Sequence, residues 1–438
     1  MNLVNGKILD AKECDDILEN LEQHILDTLS KRRLNAETVI SACDKVVNTL
    51  DEAEYLNVMR ELGIDEALGK MYIDEFKQAF SRESLVHRMK VELGDNFSKV
   101  VTYNPMHKDF TVSSEILPLG VLLHVAAGNA DGLPAFSVLE GLLTGNINIL
   151  KLPAAEGGIS VRLLLELIKA EPVLAEYIYV FDYSSKDIEH IEMLISVADA
   201  VIVWGGREAV SAFRKLIPPN IKLIEWGHKI SFAYVTKQGI TTEGLEGLAK
   251  NISDTGQLLC SSVQGIFVDT DNMEEIYEFC NKFLPVLNKE IANHPVKAGI
   301  GIQSQVALRL YAEKLEGIYK NNRIFRGDNC SLIAYPDKIM DTSIQFGNAW
   351  VRPLPRSEML TVLRPYKNYL QTVGLLCGPL EVQLLTDMFF KTGVVRVCKG
   401  ENMSIDYSGM PHDGEYPLRR YTKIVHTEKT MDMQWIGS

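Results

Sequence analysis

From Leu119 onward the chain alternates between short apolar runs and stretches of amphipathic spacing. "GVLLHVAAGN" (120–129) is an apolar run that ends in small residues. "LPAFSVLEGLLTG" (133–145) has helical spacing, with Pro134 near its start and Gly145 just past its end, the usual places for these residues around a helix. A second apolar run, "INILKL" (147–152), follows, and then a helical stretch over about 158–170. The runs "YIYVF" (177–181), "AVIVW" (200–204) and "IKLIEW" (221–226) are separated by helical stretches near 187–197 and from the pair Gly205-Gly206 to about 217. Five strands alternating with four helices predict a parallel, doubly wound sheet covered on both faces. Such sheets bind their ligands at the carboxyl ends of the strands.

The flanks read differently. Residues 11–34 and 45–93 are rich in charge and have helical apolar spacing, which predicts a helical N-terminal region. "KVVTYNPMHKDFTVSSEILPLG" (99–120) alternates about Asn104-Pro105 and predicts a hairpin or extended arm. A second mixed segment opens at "SFAYVT" (231–236), carries Cys260, and passes through helices near 272–290 and 302–317. It closes around "GVVRVCKG" (393–400), and the tail is partly extended. The aromatic residues of "EYIYVF" read as sheet core.

At 438 residues the chain exceeds what one core serves, so two or three domains are expected. A net charge of -13 argues against binding nucleic acid through its phosphates. It leaves room for an anionic cofactor, because local charge can oppose the global sign. No apolar stretch reaches the roughly 18 residues of a membrane span, and the first residues lack a basic region followed by an apolar core. The seven cysteines (14, 43, 260, 280, 330, 377 and 398) are an odd number with wide spacing. With no CxxC and no paired Cys/His set, neither a disulfide framework nor a metal site is expected. His124, His228 and His412 are not spaced as metal ligands. The reading is a cytoplasmic protein with free thiols.

Candidate chemistry gathers at three places. Cys260 in "DTGQLLCSSVQGIFVD" lies at a transition out of a loop, after Gly256 and before Ser261-Ser262. Backbone N–H groups of such a turn favour a thiolate and can donate to an oxyanion. The bland alternative is a small packed hydrophobe. Glu225 ends a predicted parallel strand, where catalytic groups collect, and Asn129 ends the first strand, where its amide faces the same cleft.

These residues sit in a series of motifs that resembles the aldehyde dehydrogenase superfamily: "PLGVLLHVAAGN", "TGNINILKLP", "WGG", "IEWGHK" and "GQLLCSS", in that order. "GLPAFSVLEGLLTGNINILKLP", "RPYKNYLQTVGL" and "HDGEYPL" are similar to one branch of it. That branch is the LuxC-like acyl-CoA reductases, the reductase component of bacterial luminescence fatty acid reductase complexes. The resemblance covers roughly residues 95–425. It implies an aldehyde dehydrogenase-like α/β fold, a nucleophilic Cys260, a proton-handling Glu225 and an oxyanion-binding Asn129. It also implies that Lys151 holds the cofactor's adenosine ribose and that Gly205-Gly206 forms the turn near its phosphates. Ala154 falls where NAD-selective members carry a glutamate, so NADPH is the expected cofactor; Glu156 lies two residues beyond. Trp226 and His228 replace the usual residues beside the glutamate. The Glu-x-Phe-Gly-Pro stretch that grips the nicotinamide ribose elsewhere has no counterpart, and "FGNAWVRPLPRS" stands in its place.

The organisation expected on this basis runs in five parts. A helical region over 1–95 belongs to the cofactor domain, an oligomerisation arm spans 96–118, and a Rossmann-like cofactor domain spans 119–229. A catalytic domain with the nucleophile follows over 230–404, and an extended segment over 405–438. The implied activity is NADPH-dependent reduction of a long-chain fatty acyl-CoA to the aldehyde. The acyl donor is acyl-CoA or an acylated partner enzyme of the acyl-protein synthetase type, and the assembly is a homodimer or homotetramer. Alternatives are an NAD(P)-dependent aldehyde dehydrogenase working oxidatively, an acyl-phosphate reductase, and a non-catalytic scaffold for an acyl-transfer partner. Intact Cys260, Glu225 and Asn129 argue against the scaffold.

Overall fold

The computed structural model describes residues 1–61, 66–126, 132–153, 158–293 and 300–430. The chain divides into two compact units, Met1–Gly227 with Tyr407–Ser438, and His228–Asp406.

The first unit is built on a seven-stranded sheet. Its five parallel strands are Val121–Val125, Ile147–Lys151, Ile178–Phe181, Ala200–Trp204 and Lys222–Trp226. In space the first of these is central. The second and third lie successively to one side of it and the fourth and fifth to the other. This 3-2-1-4-5 order is the doubly wound arrangement, and its switch point lies between Val121–Val125 and Ala200–Trp204. Nearly every residue of the four inner strands is buried, as helices on both faces require. Tyr177, Tyr179 and Phe181 are part of that core.

Two short strands at the start of the chain extend the sheet. Asn2–Val4 pairs antiparallel with Ile178–Phe181, and Lys7–Leu9 folds back on it. Asn5 and Gly6 join them with φ of 49° and 72°, the two positive values a type I′ hairpin turn needs. Among the described residues, six helices between Ala11 and Leu93 cover this part of the unit. Ala36–Thr49 begins well before the position 45 expected from apolar spacing, because the Asn35 side chain caps its first turn by accepting from the Glu37 N–H. The expected hairpin is present as Val101–Tyr103 and Phe110–Pro118. The tail strand Thr422–Thr430 joins it to make a three-stranded antiparallel sheet.

The second unit holds a seven-stranded sheet in the order Arg323–Arg326, Ser331–Ala334, Asn348–Pro353, Val263–Val268, Ile230–Val235, Leu370–Leu376, Arg396–Lys399. All its pairings are parallel except that of Arg323–Arg326 with Ser331–Ala334. Ser231, on the strand Ile230–Val235, lies where the register shifts against both neighbours, an irregularity of the kind found beside functional sites.

His124 shows how the switch point of the first sheet is locked. The ring is fully buried; its Nε2 lies 3.0 Å from Asn148 Oδ1 and its Nδ1 2.7 Å from Ser137 Oγ. Ser137 Oγ also accepts from the Trp204 indole N–H at 3.0 Å. A neutral ring satisfies every partner: Nε2–H donates to Asn148 and Nδ1 accepts from the Ser137 hydroxyl. Burial pulls the His124 pKa down to about 4, the Asn148 hydrogen bond only partly opposing it. Between pH 6.5 and about 4 the unfolded chain therefore binds a proton at His124 that the folded chain refuses, so stability falls as pH falls through that window. At roughly 1.4 kcal/mol per pH unit the loss from this group is about 3 kcal/mol. The urea midpoint of wild type should drop more steeply than that of His124→Gln between pH 7 and 4.5. Parallel slopes would mean that the ring takes a proton while folded.

Candidate active site

Cys260 sits on a turn between the helix Thr242–Thr255 and the strand Val263–Val268. The helix stops at Gly256, whose φ of 53° is the left-handed cap that glycine adopts without strain. Gln257 continues at φ 63°, an unusual conformation for a residue with a side chain. It is held there by buried amides. The Gln257 side chain donates to the Val263 carbonyl at 2.8 Å and accepts from the Gly347 N–H at 3.1 Å. Its own carbonyl accepts from the Gln264 side chain at 2.8 Å, and Gln264 in turn accepts from Ser343. The "FGN" residues therefore serve this turn: Phe346 N–H donates to the Gly256 carbonyl at 3.1 Å. Within the turn, Leu259 N–H donates to Ser262 Oγ and Ser262 N–H to the Leu259 carbonyl.

Cys260 is gripped at both ends by residues of two neighbouring strands, Ile230–Val235 and Leu370–Leu376. Ser231 Oγ donates to the Cys260 carbonyl at 2.7 Å and itself accepts from the Thr372 N–H at 3.1 Å. The side-chain amide of Gln371, nine-tenths buried, donates to Cys260 Sγ at 3.3 Å. Despite these contacts Cys260 is exposed, and so are its neighbours Leu258 and Leu259. Of the seven cysteines it alone is exposed. Burial pushes the others up, Cys14, Cys330 and Cys398 to about 11 and Cys280 to about 12.

In the first unit the named residues lie at the carboxyl ends of the parallel strands. Lys151 closes its strand opposite Val125 and Phe181. It is buried, where a solvated lysine is the ordinary outcome at a strand end. Its Nζ donates to Ser185 Oγ at 2.8 Å, and burial lowers its pKa, with Asp182 only partly offsetting this. Among the described residues no carboxylate lies within ion-pair distance of it. Gly205 N–H donates to the Trp226 carbonyl. Gly206 precedes the helix Arg207–Leu216, whose first turn has no side-chain cap. A Cβ built on Gly206 would meet nothing within 4 Å, so this turn is an open cradle facing uncapped N–H groups. Glu225 lies beside Val203 and is held by Arg214, whose guanidinium donates to both carboxylate oxygens at 2.5–2.9 Å. His412 packs between the rings of Trp204 and Trp226, with centroids 5.0 Å from each. Asn129, Ala154 and Glu156 lie outside the described residues.

The model of the family described as "Acyl-CoA reductase (LuxC)" matches residues 32–424. The chain belongs to the LuxC acyl-CoA reductase family. It is 24% identical over 388 residues to a long-chain acyl-protein thioester reductase of Photobacterium phosphoreum, covering 85% of this chain and 75% of that one. It is 25% identical to long-chain acyl-protein thioester reductase 2 of Photobacterium leiognathi, covering 72% of this chain and 65% of that one. Among solved structures, an NAD-dependent aldehyde dehydrogenase from Sinorhizobium meliloti superposes with a TM-score of 0.76 at 13% identity, covering 100% of this chain and 96% of that one. The glyceraldehyde-3-phosphate dehydrogenase GapN from Methanocaldococcus jannaschii, complexed with NADP, gives 0.71 at 12% identity, over 97% and 95%. The fold is that of the aldehyde dehydrogenases, and the family is one of reductases.

Sequence reasoning missed three partners in this LuxC-family chain: Gln371 on the sulfur, Ser185 on Lys151, and Arg214 on Glu225. Ser185 and Arg214 fall in no recognised motif; Gln371 lies within "RPYKNYLQTVGL", where a polar residue inside an apolar strand was the only signal. The exposure pattern predicts that one equivalent of iodoacetamide modifies native protein at Cys260 first. Peptide mass mapping should find Cys43 and Cys280 unmodified until denaturant is added. Comparable labelling of a buried cysteine would contradict the placement of the turn.

Proposed function

We propose that this chain reduces a long-chain fatty acyl thioester to the aldehyde through an acyl group carried on Cys260. The observation that carries this reading is an exposed thiol on a rigid turn, flanked by two exposed leucines. The Cys260 thiolate adds to the thioester carbonyl; a carbon–sulfur bond forms and the carbonyl π pair moves to oxygen. Asn129 is the residue that the family resemblance assigns to that oxyanion. Collapse breaks the donor's own carbon–sulfur bond, releases its thiolate and leaves the acyl group on Cys260. The donor is a coenzyme A thioester or a thioester on a partner protein; the names of the relatives favour the protein. Leu258 and Leu259 supply apolar surface for the alkyl chain.

NADPH fits the residues of the first unit. The buried Lys151, without a carboxylate partner among the described residues, would hold the 2′-phosphate as a point charge. Gly206 and the uncapped N–H groups after it would hold the pyrophosphate. Bound there, the cofactor supplies the hydride that takes the acyl carbon to the aldehyde level. Expulsion of aldehyde then regenerates the Cys260 thiolate. Glu225 handles protons, as an acceptor for the thiol or for water, and the bidentate contact with Arg214 holds its carboxylate in place. The three-stranded sheet, whose edge strand Val101–Tyr103 is exposed along its length, would pair across subunits of a homodimer or homotetramer. A monomer by light scattering would remove that part of the account.

The deciding experiment follows NADPH oxidation with acyl-CoA and acylated carrier protein of graded chain length, against NADP reduction with the matching aldehyde. Reduction of long chains should dominate, and kcat/KM should favour NADPH over NADH by about tenfold, the order one charge-assisted contact supplies. Ala154→Glu should erase that preference. In the same assay Glu225→Gln should lower kcat while KM for NADPH holds. Exclusive aldehyde oxidation, or equal use of both cofactors, would overturn the corresponding part of the reading.

A further inference from the structure

The turn that carries Cys260 follows the carboxyl end of the helix Thr242–Thr255. That end of a helix is the negative end of its dipole and gives a thiolate no support. Reactive cysteines are more often found at helix amino ends or beside cations, where ionisation is favoured. The backbone of this turn is also largely spent. The N–H groups of Leu258, Leu259 and Ser262 donate to Thr255, Ser262 and Leu259 within the turn, and that of Val263 donates to Asn251 Oδ1. A donor to the sulfur comes from elsewhere in the unit.

The strand Leu370–Leu376 supplies one. Gln371 reaches the sulfur with its amide at 3.3 Å, and the next residue, Thr372, fixes the cysteine carbonyl through Ser231. The two anchors start from consecutive residues of one strand, so the amide on the sulfur and the tether on the carbonyl share one rigid support. Ser231 can serve because it lies where the strand register shifts, at a point where an in-plane hydroxyl is free to bridge two backbones. An amide N–H beside sulfur interacts more strongly with a thiolate than with a thiol, because a hydrogen bond to an ion is stronger than one to a neutral group. It does so without adding a charge that would have to be screened when the thiolate becomes a neutral thioester. A lysine or histidinium in the same place would stabilise the thiolate further and so make it a weaker nucleophile. A neutral donor suits a sulfur that must be both a nucleophile and a leaving group in one cycle.

Resting on the reading of Cys260 as the acyl carrier, we propose that Gln371 is a catalytic residue whose side-chain amide stabilises the Cys260 thiolate and so sets the pH range of acyl transfer. The bonds involved are the N–H···S hydrogen bond, strengthened when the thiol gives up its proton to a base, and weakened when the thiolate's charge passes to the carbonyl oxygen on attack. No oxidation or reduction of the chain is involved.

The test is the pH dependence of iodoacetamide alkylation at Cys260, read by peptide mass mapping in wild type, Gln371→Leu and Gln371→Glu. Removal of the donor in Gln371→Leu should move the midpoint for alkylation to higher pH, by about one unit, so that alkylation near neutral pH slows by about tenfold. In Gln371→Glu a carboxylate faces the sulfur, and the midpoint should move further in the same direction. The order wild type, leucine, glutamate is the signature: a purely structural role for Gln371 has no reason to separate the two variants by charge. Cys43 and Cys280 report folding in the same digest, since their alkylation without denaturant would mark a disrupted core. If leucine alone disrupts the core, the glutamate variant carries the test. Midpoints that coincide in all three proteins, or a glutamate midpoint at or below wild type, overturn the proposal. Because alkylation needs neither acyl donor nor cofactor, this outcome is separate from failure of Cys260 to accept an acyl group, which would overturn the reading of the reaction instead.

Discussion

A nucleophilic sulfur has to be reachable by its substrate and yet held still, and for the nucleophile proposed in this chain that constraint falls on seven residues, Gly256–Ser262, outside any helix or strand. A turn of this kind cannot be fixed by apolar packing, since Leu258, Leu259 and Cys260 are exposed. It is fixed by polar side chains buried beneath it. Gln257, Gln264 and Asn251 each bond to backbone at the root of the turn, and Ser231 ties down its tip. Each of these is an amide or hydroxyl whose desolvation would cost about 1–3 kcal/mol if its partners were removed. The turn and its supports therefore stand or fall together.

The architecture of the second unit follows from that requirement. Strands Val263–Val268, Ile230–Val235, Asn348–Pro353 and Leu370–Leu376 are neighbours in one sheet, and residues at or just before their amino ends meet under Cys260. The usual rule for open parallel sheets places ligands at the carboxyl ends of the strands. In the first unit the residues proposed for the cofactor, Lys151 and Gly205-Gly206, lie at those ends together with Glu225. In the second unit the carboxyl ends carry a closed charge network instead: Arg356 is held by Asp269 and Glu381, and Glu381 accepts from Thr236. Its single guanidinium is engaged by both carboxylates, and the proposed chemistry lies at the opposite ends of the strands.

Much of this was legible in the sequence because the signals were periodic or chemical. The five parallel strands of the first sheet are continuous apolar runs, as strands buried on both faces must be. Pro134 and Gly145 marked the ends of the helix Leu133–Leu143. What escaped was short or long-range. Asn2–Val4 and Lys7–Leu9 are three residues each, too brief for alternation to register, although Asn5-Gly6 between them was a hairpin signal. The partner of Cys260 lies 111 positions away and that of Lys151 34 positions away, and no local pattern encodes such pairings. The burial of Lys151 was equally hidden, because a strand-end lysine is solvated unless neighbouring elements cover it.

The central claim is that Cys260 carries the acyl group between donor and product. Intact-mass measurement after mixing with a long-chain acyl thioester, without cofactor, tests it most directly. The account predicts a gain of one acyl group per chain, located at Cys260 by fragmentation and discharged as aldehyde when NADPH is added. An acyl group found on another residue, or equal labelling of Cys260→Ala, would contradict it.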